Sequence, residues 1–218
     1  EELSTARKGP RKDTDWLAIW LAAELLLVYR RAIRKPASPH EEEIVNGLRD
    51  LVLTGALQPR ERASAGVTLA RLGDPRPEVM TVDGMRFCFV PAGEFWYGEG
   101  DKAEKISMPA FWMGEFPVSN AQFVEFVAEE GYLEEGWWPE ARDEKFWSKA
   151  GFKGRSDDEF RTAPFGFREP FGLLNHPVVG VSWYEAMAFT HWLTARWQGN
   201  GWLPALWRVS LPHEQQWE

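Results

Sequence analysis

At Asp74-Pro-Arg-Pro77 the hydrophobic period of this chain changes, and that change most limits what it can fold into. Each proline drives the residue before it out of helical conformation, so no helix runs through the point. Everything before it reads as helix. Asp13 and Asp15 offer caps to the apolar stretch 16–29, and the basic residues Arg30, Arg31, Arg34 and Lys35 suit that helix's C-terminus. Pro36 and Pro39 then break the chain, and Ser38-Pro-His-Glu41 is a capping box with proline at the first helical position. Ile44, Val45, Leu48, Leu51 and Val52 follow at helical spacing, and Gly55 closes that helix. A third helix runs from about Pro59 through Ala63, Val67 and Ala70 to Gly73. Residues 1–76 are thus expected to form a helical arm.

After the prolines the period is two. Met85, Phe87 and Phe89 alternate with Arg86 and Cys88, the pattern of a strand with one apolar face. Pro91-Ala-Gly93 turns the chain, 94–97 continues as a second strand, 98–101 is a loop, and 109–116 reads as a third strand. Two more capping boxes open helices. Ser119-Asn-Ala-Gln122 precedes Phe123, Phe126 and Val127, with Val118 and Phe123 placed as a hydrophobic staple. Ser182-Trp-Tyr-Glu185 precedes Ala186, Phe189, Leu193 and Trp197 on one face. Residues 77–218 therefore predict a mixed α+β domain. Between the two helices, 131–176 lacks sustained periodicity but is rich in aromatic residues, which argues for a functional loop rather than a disordered one. At the end, Leu211-Pro-His-Glu-Gln-Gln-Trp-Glu218 reads as a helix just beginning, with no stop signal, so a piece of a larger fold is expected.

Charge and composition exclude several functions. The net charge of −8 and pI of about 5.2 argue against nucleic acid, whose phosphates need a basic face. The single cysteine, Cys88, excludes an internal disulfide framework and any CxxC metal site, and fits a reducing cytoplasm. Its place in an apolar run predicts a buried structural thiol. The stretch 16–29 is short for a membrane span and carries Glu24, so a buried core helix is expected and no membrane partner.

No catalytic, cofactor or metal residue stands out. His40, His176, His191 and His213 show no ligand spacing. A structural hydrogen bond is expected for His176 and a surface position for His191. The acidic clusters, of which Asp157-Asp158-Glu159 is the least unsuited to a metal, lack a calcium-loop pattern and read as solvated faces. Thirteen tryptophans are many, and no period explains Trp137, Trp138 and Trp147. Tryptophan fills the cores of loop-rich folds and also marks binding hot spots, which makes these three the candidates for ligand or partner contact.

From about Val82 four phrases occur in a recognisable order: Val90-Pro-Ala-Gly-Glu-Phe95, the run from Phe116 to Phe123, His176-Pro-Val-Val-Gly-Val-Ser-Trp183, and Arg208-x-x-Leu-Pro-x-Glu-x-x-Trp-Glu218. In this order they resemble the formylglycine-generating-enzyme, or sulfatase-modifying-factor, family. The resemblance implies an elaborated C-type-lectin-like fold, here its N-terminal portion. Family members bind copper through a cysteine pair, and calcium, in the C-terminal half; those residues would lie beyond Glu218, so no catalytic position carries over and Cys88 matches neither cysteine. His213 stands where the family has a capping threonine. The ergothioneine-synthesis branch uses a His-x-x-x-His-x-Glu iron site in an N-terminal helical bundle, and His40 is the only histidine before 176, so that branch is expected to be excluded. The helical arm resembles those preceding this domain in multidomain bacterial proteins and in variable proteins of diversity-generating retroelements. Two functions remain open: a module binding a protein or small ligand on a C-type-lectin-like scaffold, or a copper- and oxygen-dependent oxidase that makes formylglycine. In either case the missing C-terminal segment of the same fold is an implied partner. The ends also fit a proteolytic product.

Overall fold

Three helices form where caps, period and breakers agree: α1 (Asp13–Ala32), α2 (Pro39–Thr54) and α3 (Pro59–Leu72). The structure, a computed structural model, describes residues 11–32 and 39–217. Ser38, the cap expected before α2, lies outside the described residues, as do Arg34, Lys35, Pro36 and both chain ends. The chain divides into two compact units, residues 1–76 and 77–218.

In the first unit the apolar stripes of the three helices meet. Trp16, Ala23 and Leu26 of α1 pack with Leu48 and Leu51 of α2 and with Ala65, Leu69 and Leu72 of α3. A Cβ at Gly47 would stand 3.2 Å from Ile19 Cγ2, so α1 and α2 approach closely there. Arg30, in the last turn of α1, donates to Glu41 (2.8 Å) and to the Leu72 carbonyl (2.8 Å), satisfying an acceptor left over at the end of α3. At the start of α3, Gln58 and Glu61 form a reciprocal capping box that was not read from the sequence. The expectation of a buried α1 is corrected. Only one side of it is buried; Leu17, Leu21, Leu25, Val28 and Tyr29 are exposed.

The second unit is α+β. After α4 (Pro77–Met80), strand β1 (Phe87–Val90) pairs antiparallel with β4 (Phe111–Gly114), and β2 (Gly93–Tyr97) with β3 (Glu104–Met108). The expected third strand at 109–116 is β4, while β3 went unread. Cys88 is exposed, contrary to expectation, because β1 belongs to a two-stranded ribbon and Phe87 and Phe89 beside it are themselves uncovered. Helices α5 (Asn120–Ala128) and α7 (Trp183–Gly199) begin at their capping boxes: Ser119 Oγ accepts from Gln122 N (3.2 Å), and Ser119 N donates to Gln122 Oε1 (3.0 Å). Between them lie α6 (Pro139–Asp143) and the short pair β5 (Trp147–Ser148) and β6 (Gly151–Phe152); α8 (Glu214–Trp217) follows α7.

The core of this unit is aromatic. Phe126 packs edge-on to Phe123 and Phe189, and Trp138 stacks on Phe152 with centroids 5.5 Å apart. The 131–176 stretch is therefore a working part of the core, inserting Tyr132, Trp138 and Phe152 between α5 and α7. Arranged edge-to-face or offset, such ring pairs add about 0.5–1.5 kcal/mol each beyond the area they bury.

Candidate ligand-binding cleft

Helix α7 carries the two features that give this unit its candidate site. At its N-terminus Ser182 Oγ accepts from Glu185 N (3.4 Å), and Glu185 Oε2 accepts from Ser182 N (2.8 Å). Glu185 is fully buried, and a lone buried carboxylate would be costly. Its partners remove the cost. Arg161 grips both carboxylate oxygens, at 2.7 Å to Oε2, and the Tyr132 hydroxyl donates to Oε1 (2.5 Å). Burial and the neighbouring carboxylate push the Tyr132 hydroxyl far above its ordinary range, so it stays protonated and stays a donor. Burial disfavours the Arg161 charge, but Glu185 outweighs it and holds the guanidinium even more firmly protonated than usual.

Arg161 also donates to Asp157 Oδ2 (3.2 Å), and its guanidinium lies 4.2 Å from the Phe165 ring centroid and 5.1 Å from that of Phe152. Burial pushes the Asp157 carboxyl up, yet the Gly154 N–H and the Arg161 charge outweigh it and hold it below its usual value. Asp157 is thus already committed to Gly154 and Arg161. The network ties the 131–176 loop to the start of α7, over separations of 24 residues from Arg161 and 53 from Tyr132.

Further along α7 a cleft of about 450 Å³ opens. It is lined by Trp183, His191 and Gln198 of the helix and by Trp137, Arg208 and His213 from segments before and after it. The returning segment is fastened to the helix by Val209 N donating to Thr194 Oγ1 (2.9 Å) and by Gln198 Nε2 donating to the Trp207 carbonyl (2.8 Å). His191 Nε2 lies 3.0 Å from Glu140 Oε1, which joins α7 to α6 beside the cleft. At α8, His213 N donates to Gln216 Oε1 (2.9 Å), and the His213 carbonyl accepts from Gln216 N (2.9 Å). The cleft thus offers aromatic faces, a guanidinium and two imidazoles on supports held by hydrogen bonds.

The three candidate tryptophans part company. Trp138 is 1% exposed, with its indole N–H donating to the Gly131 carbonyl (2.8 Å), and it presents no surface to a ligand. Trp147 is half-buried and donates to the Tyr132 carbonyl (2.8 Å). Trp137, also half-buried, lies on the cleft wall. Trp183, Arg208 and the two histidines of the cleft were not read from the sequence as site residues. The helix that opens at Ser182 is expected to account for Trp183 on its face, but the ring is exposed and lines the cleft. His176 joins the loop through its backbone: its carbonyl accepts from Asn120 N (2.8 Å), and its ring Nδ1 lies 3.3 Å from Asn175 Oδ1.

Copper and calcium, implied by the family resemblance, can be tested against the donors present. A two-thiolate copper site does not fit, because the chain has one cysteine. Among the described residues no three His, Cys, Asp or Glu side chains are grouped to hold a metal.

These features define a loop-rich α+β domain whose aromatic core is closed by a long insert between two capped helices. Residues 73–218 match the sulfatase-modifying factor enzyme 1-like domain, and the chain belongs to that family. It is similar to the formylglycine-generating enzyme of Mus musculus, 29% identical over 190 residues, covering 73% of this chain and 43% of that protein. It is similar also to the hercynine oxygenase of Mycobacterium tuberculosis, 29% identical over 121 residues (53% of this chain, 24% of that protein). A third relative is the serine/threonine-protein kinase Pkn1 of Chlamydia trachomatis, 29% identical over 139 residues (60% and 18%). The chain spans less than half the length of these curated relatives. Among the described residues no helix is long and apolar enough to cross a membrane.

Proposed function

We propose that the second unit acts as a binding module on a C-type-lectin-like scaffold, with the cleft along α7 as its recognition surface. The observation that carries this reading is the cleft itself: about 450 Å³, with Trp137 and Trp183 as apolar walls and Arg208 beside them. Concave, mostly apolar sites with a few placed polar groups are where small ligands and side chains bind. The chemistry that fits is a flat apolar group bearing a negative charge, on a small molecule or on a protein partner. A sensor module or a variable protein of a diversity-generating retroelement would use the surface in this way.

The test is titration of a panel of aromatic carboxylates, free and as peptide C-termini, followed by tryptophan fluorescence. Saturable quenching that is lost in both Trp137→Ala and Arg208→Ala, with the melting temperature kept, supports the reading. No saturable response from any member of the panel counts against it.

The likeness to the mouse formylglycine-generating enzyme favours a second reading, an oxidase whose copper ligands lie outside these 218 residues. Titrating Cu(I) into the longer protein separates the two, since only the oxidase requires a tight stoichiometric site. In either reading the remaining segment of the same fold is a partner of this unit. The exposed aromatics Phe89, Trp112 and Trp207 supply apolar surface that such a segment would cover.

A further inference from the structure

The first unit carries a surface that the binding reading does not use. Along the outer side of α1, Leu17, Leu21, Leu25, Val28 and Tyr29 are exposed, and Leu21, Leu25 and Val28 each keep more than 60% of their surface. Their spacing of four, four and three residues draws one continuous ridge along a helix about 30 Å long. The apolar exposure is concentrated there: on α2 and α3 the exposed large hydrophobic residue is Leu53 alone. Between Asp15 and Arg30 the helix has a single charged side chain, Glu24, which faces inward and accepts from Thr68 Oγ1 of α3. A soluble three-helix unit has no internal reason to keep such a ridge open.

The charges at the two ends say what covers it. The first turn holds Asp13 and Asp15, and the last turn Arg30 and Arg31. Two copies of α1 laid antiparallel place the acidic start of each beside the basic end of the other. A two-fold axis midway between Leu21 and Leu25 sets Leu17 of one copy against Val28 of the other. A parallel pair would set like charges together at both ends. A membrane-surface helix would instead carry its basic residues along its polar face.

We propose that α1 is the seam of a homodimer, formed by antiparallel packing of its Leu17–Leu21–Leu25–Val28 ridge on the same ridge of a second copy. The contact is isologous and closes on itself. One helix pair buries less than the roughly 1,200 Å² of standard interfaces, so the dimer dissociates at about micromolar concentration.

The experiment is sedimentation velocity of the chain across about 1–500 μM, with a charge-swap series. The wild type is expected to pass from 25.1 kDa to twice that mass. Leu21→Glu with Leu25→Glu is expected to weaken the dimer at least about 100-fold, because it drives charge into the seam. Asp13→Lys and Arg31→Glu are each expected to weaken it about 10-fold, as two end pairs are lost per dimer. Combining them restores it, because the swapped charges pair again across the axis. Circular dichroism checks that α1 stays helical in every variant. A monomer at all concentrations overturns the proposal, as does a dimer that survives the leucine substitutions. A monomer in solution whose ridge binds lipid vesicles overturns it in favour of a membrane surface. Failure of the double charge swap to rescue overturns the antiparallel seam.

Discussion

Replacing Arg161 by Met would leave Glu185 buried with its main partner gone. The arginine side chain is 15% exposed and the glutamate side chain fully buried, so solvent screens the pair little. Removing one partner of such a pair costs about 3–5 kcal/mol. Loss of the guanidinium from the Phe165 and Phe152 faces adds about 0.5–2 kcal/mol, offset in part by the packing of the methionine. A net loss of about 4 kcal/mol in a unit of this size lowers its melting temperature by about 8–16 °C. The second variant, Glu185→Gln with Arg161→Met, removes the orphaned charge. Glutamine still accepts from the Ser182 N–H, as capping boxes allow, and from the Tyr132 hydroxyl. It should cost about 1–2 kcal/mol, about 2–3 kcal/mol less than Arg161→Met alone. Urea unfolding followed by tryptophan fluorescence and near-ultraviolet circular dichroism measures both variants. If Arg161→Met costs under about 1 kcal/mol, or the double variant is no more stable than the single, the network does not hold the loop to α7.

Two further outcomes follow from packing and burial. Trp138→Ala should cost about 3–5 kcal/mol, since it empties the centre of the aromatic core, whereas its neighbour Trp137→Ala should leave the melting temperature within a few degrees; comparable losses would mean that Trp137 is core as well. Burial holds the His176 imidazole below its ordinary value, so between that lowered value and about 6.5 the unfolded chain binds more protons than the folded one. Stability should therefore fall as pH drops through this window, and His176→Gln should flatten the fall; an unchanged profile in the variant would assign the pH dependence elsewhere.

The parts of this protein legible in the sequence are those whose cause spans three or four residues. The capping boxes at Ser119 and Ser182 place two helix starts correctly because cap, acceptor and apolar stripe lie within one turn. The breaker at Asp74-Pro-Arg-Pro77 is equally local. Strand β3 was not legible: Glu104, Lys105, Ile106, Ser107 and Met108 show no clean apolar face, and the strand exists through its ladder with β2. Cys88 misled for the converse reason. It alternates as a buried strand should, but whether a strand's face is covered depends on what packs on it, and the β1–β4 ribbon leaves Cys88 exposed.

The same limit applies to the site. Trp137 and Trp138 are adjacent and chemically identical; only the turn into α6 buries Trp138 fully while Trp137 packs on the edge of the core and also lines the cleft. Glu185 is visible in the sequence as a capping residue, but not as the anchor of Arg161 and Tyr132, which reach it from 24 and 53 residues away. Local hydrogen bonds and periods were enough for the sequence by itself to place the starts of α5 and α7, while the order of its four phrases, and no period, carried the family resemblance. Which aromatic side chains are buried, which charge is neutralised inside and where the cleft opens were decided only by the tertiary structure. Those outcomes depend on desolvation, which is set by distant segments meeting and not by neighbours along the chain.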